Sequence, residues 1–143
     1  MNEMIIYITG ASGYLGKTLT DYFANQDHTV IALCRRNIFN HKNIVFSKFN
    51  LGSPIEKTLP PPDICIHCAY DLSLIEWSDI FRINVIGSQK LFDQLLKLNC
   101  KSIINISSIS AFKGVRSKYG KSKLLIEEYA SKIKGISILL IIS

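Results

Sequence analysis

The sequence predicts an α/β fold in which a parallel sheet lies between helices. Short, continuously apolar segments of strand length alternate along the chain with segments that have helical apolar spacing. Strands that are apolar throughout are buried on both faces, and their alternation with helices is typical of a parallel sheet with right-handed crossovers. The 143 residues are 48% hydrophobic and 20% charged, which fits one globular domain and excludes a disordered tail, a collagen-like repeat and a coiled coil.

These segments predict six strands and three helices. The strands are expected at 4–9, 29–34, 43–49, 64–69, 102–107 and 136–142, and the helices at 13–25, 75–98 and 117–132. The third strand is expected nearer an edge of the sheet. The run Pro60-Pro61-Pro62 precedes the fourth strand and predicts a rigid turn rather than a linker between domains.

The charge balance is basic, with a formal net charge of +6 from 17 Lys and Arg against 11 Asp and Glu. The basic residues form no run, which favours a local anion site and a solvated surface over binding to nucleic acid. No stretch reaches the roughly 18 apolar residues of a membrane span, and the N-terminus does not resemble a secretory signal. We therefore expect a cytoplasmic protein that binds neither membranes nor nucleic acid.

Cysteine and histidine placement argues against a metal or redox centre. Cys65 and Cys68 have C-x-x-C spacing, but they lie within a predicted strand and not at a helix N-terminus, where a thiolate is stabilised. They should point to opposite faces of the sheet. We expect all four cysteines to be small buried hydrophobes of a reducing compartment. His67 is expected to be a strand-end histidine that bonds the backbone, and no metal site is predicted.

A glycine-rich loop follows the first predicted strand and opens the first predicted helix. Its spacing is G-x-x-G-x-x-G, in the strand–loop–helix context that a dinucleotide site requires. Glycines allow a tight turn and close approach to a pyrophosphate, and the helix N-terminus offers free N–H groups to that anion. The alternative is a purely structural glycine turn. The predicted pyrophosphate cradle consists of Gly10, Ala11, Ser12, Gly13, Tyr14, Leu15 and Gly16.

The end of the second predicted strand bears on which nucleotide is bound. An acidic residue there would hold the adenosine ribose 2′-hydroxyl of NAD. This chain has Arg35 and Arg36 instead, and a guanidinium suits a 2′-phosphate. The pattern therefore favours NADP(H) over NAD(H). The alternative is that both arginines are ordinary loop charges.

A candidate proton-transfer pair lies on the last predicted helix. Tyr119 and Lys123 have Y-x-x-x-K spacing, which places them on one helix face. A phenol needs help to exchange protons at neutral pH, and a lysine one turn away stabilises the phenolate and can also bond the nicotinamide ribose. The pair Ser107-Ser108 ends the fifth predicted strand, where ligands bind in open α/β sheets. The alternative is a surface tyrosine and lysine on a solvated helix.

Taken together, these motifs resemble the extended short-chain dehydrogenase/reductases, the NAD-dependent epimerase/dehydratase family. The segment 63–69 (DICIHCA) is similar to the family's D-x-x-x-H-x-A strand, whose end lines the cofactor. The segment 84–88 (NVIGS) is similar to N-V-x-G-T, and 107–112 (SSISAF) to S-S-x-x-V-Y. The resemblance implies Ser108 as the active-site serine, and Tyr119 with Lys123 as the acid/base pair.

The resemblance also implies a fold, a cofactor and a reaction type. The fold would be a Rossmann-like doubly wound parallel sheet of about six strands, forming one NAD(P)-binding domain over 1–143. The tyrosine phenolate would remove a hydroxyl proton while hydride passes to the nicotinamide, on nucleotide-activated sugars that are epimerised, dehydrated or reduced. Asn50 stands where an Asp usually recognises adenine. Further cofactor contacts implied are Asn50, Leu51, Cys68, Ala69, Tyr70, Asn84, Ile106 and Lys123.

One departure concerns length. Family members continue for roughly as long again into a C-terminal domain that holds the substrate, and this domain is expected to be missing here. The chain is therefore expected to be a fragment, a disrupted gene product or half of a split enzyme. Two alternatives are a non-catalytic NADP(H) sensor that regulates a partner, and a folding-defective remnant whose exposed sixth strand favours dimerisation or aggregation. The sequence does not decide whether the chain forms a homo-oligomer.

Overall fold

Six parallel strands form one sheet in the computed structural model, which describes residues 2–142. The strands are β1 (Ile5–Thr9), β2 (Thr29–Cys34), β3 (Ile44–Lys48), β4 (Ile64–His67), β5 (Ser102–Ser107) and β6 (Ser137–Ile142). Their order across the sheet is β3-β2-β1-β4-β5-β6. The predicted α/β class and strand number are confirmed, and β3 lies at an edge as expected.

The helices follow the prediction with one difference. They are α1 (Tyr14–Asn25), α2 (Trp77–Ile80), a π-helical segment (Phe81–Ile86), α3 (Gly87–Lys97) and α4 (Lys118–Ser131). The long helix predicted at 75–98 is thus interrupted by wider turns, which apolar spacing does not reveal because it reports the buried face and not the hydrogen-bond ladder. None of the helices within residues 2–142 is long and apolar enough to cross a bilayer.

Helices cover both faces of the sheet because successive strand residues point to opposite sides. On one face, the core side chains of the strands, such as Tyr7 and Ile103, pack with α3 and α4. On the other face, residues such as Ile6 and Ile8 pack with α1. Each face buries its own apolar cluster, as a doubly wound sheet requires.

The direction of winding reverses at β1. The chain runs outward from β1 to β2 and β3 on one side, then returns to place β4 on the other side of β1. Thr9 and His67 are register partners at the carboxyl ends of β1 and β4. A crevice opens at such a switch point, and ligands of open α/β sheets bind there.

The sixth strand differs from the expectation that apolar strands are buried on both faces. Ile138 is partly buried against the core of the α3/α4 face, whereas Leu139, Leu140, Ile141 and Ile142 are 55%, 38%, 42% and 60% exposed. Within residues 2–142, β6 lies at the end of the sheet, with β5 along one side. An apolar run predicts a strand, but its burial depends on what packs against it.

Candidate functional site

Two glycines in the turn from β1 into α1 leave no room for a side chain. Gly10 has a φ of +63°, and a Cβ there would lie 2.9 Å from the Ala69 backbone. A Cβ at Gly16 would lie 2.1 Å from the carbonyl oxygen of Gly10. Both distances are far below van der Waals contact. The glycines therefore hold the start of α1 close against the ends of β1 and β4.

The start of α1 is suited to receive an anion. Gly13 donates its N–H to the carbonyl of Gly10 at 3.0 Å, and the first turn that follows, within the part of the chain described, has no side-chain cap and no acidic residue. The first N–H groups of a helix have no partner within the helix. Gly13, Tyr14 and Leu15 are exposed, while Ala11 is completely buried. An external phosphate could bind these N–H groups, with the positive end of the helix dipole behind them.

A cleft of about 1090 Å³ extends from this loop over the carboxyl ends of β2, β3 and β4. Many of the predicted cofactor contacts line this cleft together. Asp71 also lines it, and hydrogen bonds from Ser73 lower the pKa of that carboxyl, with a smaller contribution from the charge of Arg35. The predicted residues in the wall are Gly10, Ser12, Gly13, Arg35, Arg36, Asn50, Leu51, Cys68, Ala69 and Tyr70.

A second cleft, of about 210 Å³, lies between the glycine loop and α4. It contains Tyr119 and Lys123, together with Ile106 and Ser107 at the end of β5. Residues common to both clefts are Gly10, Gly13, Cys68, Tyr70 and Leu72. The two clefts therefore adjoin, and an elongated ligand lying across the glycine loop could reach from Arg35 to Tyr119.

The predicted proton-transfer pair lies on the first two turns of α4. Ser117 caps this helix by accepting a hydrogen bond from the Gly120 N–H at 3.0 Å. Lys123 is only 8% exposed, and its Nζ donates to the carbonyl of Ile106 at 3.0 Å. Burial lowers the pKa of Lys123, while Cys68 and Glu127 oppose that shift. Its Nζ lies 5.8 Å from the centre of the Tyr119 ring, so the ammonium and the phenol face the same cleft.

The serines at the end of β5 differ in their surroundings. The Oγ of Ser108, which is 7% exposed, accepts the Ser110 N–H at 3.1 Å and helps to turn the loop. Ser107 is 2% exposed, its Oγ has no hydrogen-bond partner among the described residues, and it lines the smaller cleft. The resemblance assigned the role to Ser108 alone. The position of Ser107, at the carboxyl end of a central strand, is the signal that could have added it.

A buried chain of hydrogen bonds joins β1, β4 and α3 beneath the clefts. The Thr9 Oγ1 accepts the N–H groups of Cys68 and Ala69 at 3.1 and 3.2 Å, which leaves its own proton for His67 Nδ1 at 2.7 Å. The ring then donates from Nε2 to the Ser88 Oγ at 2.8 Å. Burial lowers the pKa of His67 to about 3. The expectation that His67 bonds the backbone is wrong: it bonds two hydroxyls, because Thr9 of β1 and Ser88 of α3 lie at its two ring nitrogens.

Asn84 lies outside the clefts and holds the backbone of a residue that lines one of them. It is completely buried on the π-helical segment. Its Oδ1 accepts the Asp71 N–H at 2.8 Å, and its Nδ2 donates to the Asp71 carbonyl at 3.1 Å. The side-chain amide thus holds the loop after β4. Three predicted site residues, Ala11, Asn84 and Ser108, lie outside the walls of both clefts.

The cysteines are largely as predicted. All four are free thiols, and Cys65 and Cys68 pack on opposite faces of the sheet. Cys34, Cys65 and Cys100 are buried, whereas Cys68 is only partly buried and lines both clefts. Burial raises the pKa of the Cys68 thiol to about 11. Residues 2–142 contain no cluster of His, Cys, Asp and Glu side chains that could hold a metal ion.

Comparison with known proteins gives one family and many similar structures. The family model for the NAD dependent epimerase/dehydratase family matches residues 6–140. Comparison with curated protein sequences gives no match. Among solved structures, the enzyme WbmH of Bordetella bronchiseptica, in complex with NAD+, has a TM-score of 0.83 and 15% identity over 99% of this chain and 56% of its own.

Two further structures show the same relation. The enzyme WbmG of Bordetella bronchiseptica, in complex with NAD and UDP, has a TM-score of 0.81 and 16% identity over 97% of this chain and 52% of its own. The UDP-N-acetylglucosamine 4-epimerase of Bacillus cereus has a TM-score of 0.76 and 26% identity over 96% of this chain and 59% of its own. The chain thus spans between half and three fifths of the length of these relatives. The family model matches nearly the whole of this chain, and the sheet, glycine loop and clefts are arranged as described. The chain therefore belongs to the NAD-dependent epimerase/dehydratase family.

Proposed function

We propose that the chain binds a nicotinamide dinucleotide across its two adjoining clefts and supplies the proton-transfer groups for a reaction of a nucleotide-activated sugar. The observation that carries this proposal is the continuity of the clefts. The glycine loop lies at their junction, two guanidiniums line one end, and a phenol with a buried ammonium lines the other. This order matches the parts of a dinucleotide, whose pyrophosphate lies between adenosine and nicotinamide.

The larger cleft would hold the adenosine half. The uncapped N-terminus of α1 would bind the pyrophosphate, and the Asn50 amide could hydrogen-bond adenine. Arg35 and Arg36 favour a 2′-phosphate and therefore NADP(H), since a guanidinium binds phosphate bidentately. The structures of WbmH and WbmG are complexes with NAD, so the relative affinity of this chain for the two cofactors is the measurement that decides this preference.

The smaller cleft would hold the reacting groups. When bound, the nicotinamide would accept or return a hydride. Tyr119, which lines this cleft, would take up and return the hydroxyl proton of the substrate. The ammonium of Lys123 would stabilise the negative charge on the Tyr119 oxygen and donate to the ribose. Ser108, next to that wall, would orient the substrate oxygen, and Ser107 offers an unpartnered hydroxyl within the wall itself.

The substrate class is proposed from the relatives. The Bacillus cereus relative acts on UDP-N-acetylglucosamine, and WbmG is described with UDP. This chain spans about half the length of these proteins, so most contacts to the sugar would come from further sequence or from a partner chain. The free thiols fit a reducing compartment, and we place the protein in the cytoplasm.

Calorimetric titration with NADPH and with NADH tests the cofactor proposal. We expect micromolar binding of at least one cofactor, with NADPH binding more tightly. Replacing both Arg35 and Arg36 by Ala should weaken NADPH binding by about tenfold or more, the effect of losing charge-assisted hydrogen bonds, and leave NADH binding unchanged. Arg116→Ala is a matched control, since this exposed arginine lines neither cleft. Failure of a folded sample to bind either cofactor would refute the proposal.

A further inference from the structure

Tyr70 lies at the junction of the two clefts and forms part of both walls. It follows β4 directly after the segment that packs on the glycine loop. The centre of its ring is 4.8 Å from the Nζ of Lys123 and 5.1 Å from the centre of the Tyr119 ring. The two rings meet edge to face, with an interplanar angle of 76°. Tyr70 therefore contacts both members of the proton-transfer pair.

The hydroxyl of Tyr70 is committed to a structural bond. It lies 2.7 Å from the Oγ of Ser122, which is completely buried between the pair on α4. Ser122 gives its single proton to the carbonyl of Tyr119 at 2.7 Å. The bond between Tyr70 and Ser122 must therefore use the phenolic proton of Tyr70. Because this proton is already donated to Ser122, and burial also raises the pKa of Tyr70, we assign Tyr70 no part in proton exchange.

The ammonium of Lys123 has few direct partners. It is nearly buried, and one of its three protons is donated to the Ile106 carbonyl. The face of the Tyr70 ring lies closer to it than the Tyr119 ring does. A cation is attracted to an aromatic face, and the attraction is stronger where water is excluded. The ring thus compensates part of the desolvation of the ammonium without occupying the protons needed for a ligand.

We propose that Tyr70 is a positioning residue, whose ring holds the Lys123 ammonium at the cleft junction and whose hydroxyl fixes the first turns of α4 beneath Tyr119. The role rests on the proposed function of the site. The three residues then have separate roles. Tyr119 exchanges the proton, Lys123 supplies the positive charge, and Tyr70 holds these two side chains in position while taking no part in proton transfer.

The test is an NMR titration of Lys123 in the chain without cofactor, using lysine labelled at the ε-carbon. The signal is assigned by its loss in Lys123→Arg. Tyr70→Leu removes the aromatic face and should lower the pKa of Lys123 by about half a unit or more, since a buried cation loses its attraction to the ring. Tyr70→Phe is the matched control, because it retains the ring and loses only the hydroxyl, and should leave that pKa nearly unchanged. An unchanged or higher pKa in Tyr70→Leu, or an equal shift in both variants, would overturn the proposal.

A second readout needs no substitution. If the ammonium lies over the ring face, the ε-methylene protons of Lys123 in the unaltered chain should resonate upfield of those of exposed lysines. A normal shift would refute the positioning role even if Tyr70→Leu fails to fold. Neither readout depends on cofactor binding. A chain that shows both signatures but binds neither NADPH nor NADH would refute the proposed function and leave the contact between Tyr70 and Lys123 intact.

Discussion

Acidification should destabilise the fold through His67. The buried ring accepts a hydrogen bond from Thr9 and donates one to Ser88, an arrangement that only the neutral imidazole can make. Burial lowers its pKa from the ordinary 6.5 to about 3. In the unfolded chain the ring regains its ordinary pKa. The contribution of the neutral His67 ring to the free energy of unfolding is therefore complete above about pH 6.5, and it is lost as the pH falls from there towards about 3.

The magnitude follows from proton linkage. Between those two values the unfolded chain binds one proton that the folded chain does not, which costs about 1.4 kcal/mol per pH unit. At pH 5 the loss attributable to His67 should be about 2 kcal/mol. That is a large share of the roughly 5–15 kcal/mol by which domains are stable.

Urea unfolding at a series of pH values from 7.5 to 4.5 measures this loss. His67→Gln retains one acceptor and one donor but cannot be protonated. The variant should be less stable at pH 7, because it loses the edge-to-face contact with Phe92, whose ring centre lies 5.5 Å away. The difference in free energy of unfolding between the variant and the unaltered chain should shrink as the pH falls. If the difference between the unaltered chain and His67→Gln is independent of pH, the assignment of a buried neutral ring is wrong.

Three further predictions concern the loop and α4. Gly16→Ala should abolish dinucleotide binding in calorimetry and destabilise the fold by about 2 kcal/mol or more, because its Cβ would lie 2.1 Å from the Gly10 carbonyl oxygen. Gly13→Ala is the control and should destabilise the fold much less, since the atom nearest to its Cβ would be 3.3 Å away. Gly120→Ala should cost about 1–3 kcal/mol in urea unfolding, since its Cβ would lie 2.3 Å from the Ser110 carbonyl; an unchanged midpoint would contradict the close packing of that loop on α4. Tyr119→Phe should leave cofactor affinity unchanged and lower conversion of a UDP-sugar by about 100-fold or more. Conversion that survives the substitution would exclude Tyr119 as the acid/base group, whereas conversion that is lost with it would exclude a non-catalytic sensor.

Much of the fold and part of the candidate site could be predicted because the signals are local. Strands β2 and β5 begin and end at the predicted residues, since each is a short segment rich in β-branched apolar residues with clear breaks on both sides. The glycine loop is similarly local: its spacing is fixed by a turn and a helix start within a few residues. Such features need no knowledge of distant chain segments.

Other features depend on contacts between distant segments. Tyr70 belongs to none of the short motifs, and its bond to Ser122 joins residues 52 positions apart. The hydroxyl partners of His67 come from β1 and α3, which strand periodicity cannot reveal. The exposure of β6 is likewise decided by what packs against the strand and not by its composition. Motifs thus indicated where the candidate site lies, whereas the arrangement of its side chains required the tertiary structure.

The partly buried Cys68 gives the molecule a native chemical reporter. Its thiol lines both clefts, while the other three thiols are buried. Because burial raises its pKa to about 11, and the thiolate is the reactive form, alkylation near neutral pH should be slow enough to follow by mass spectrometry. A molecule that fills the junction of the clefts would shield this sulfur. Protection of Cys68 from alkylation would therefore report occupancy of the site for any candidate ligand, without turnover and without an introduced label.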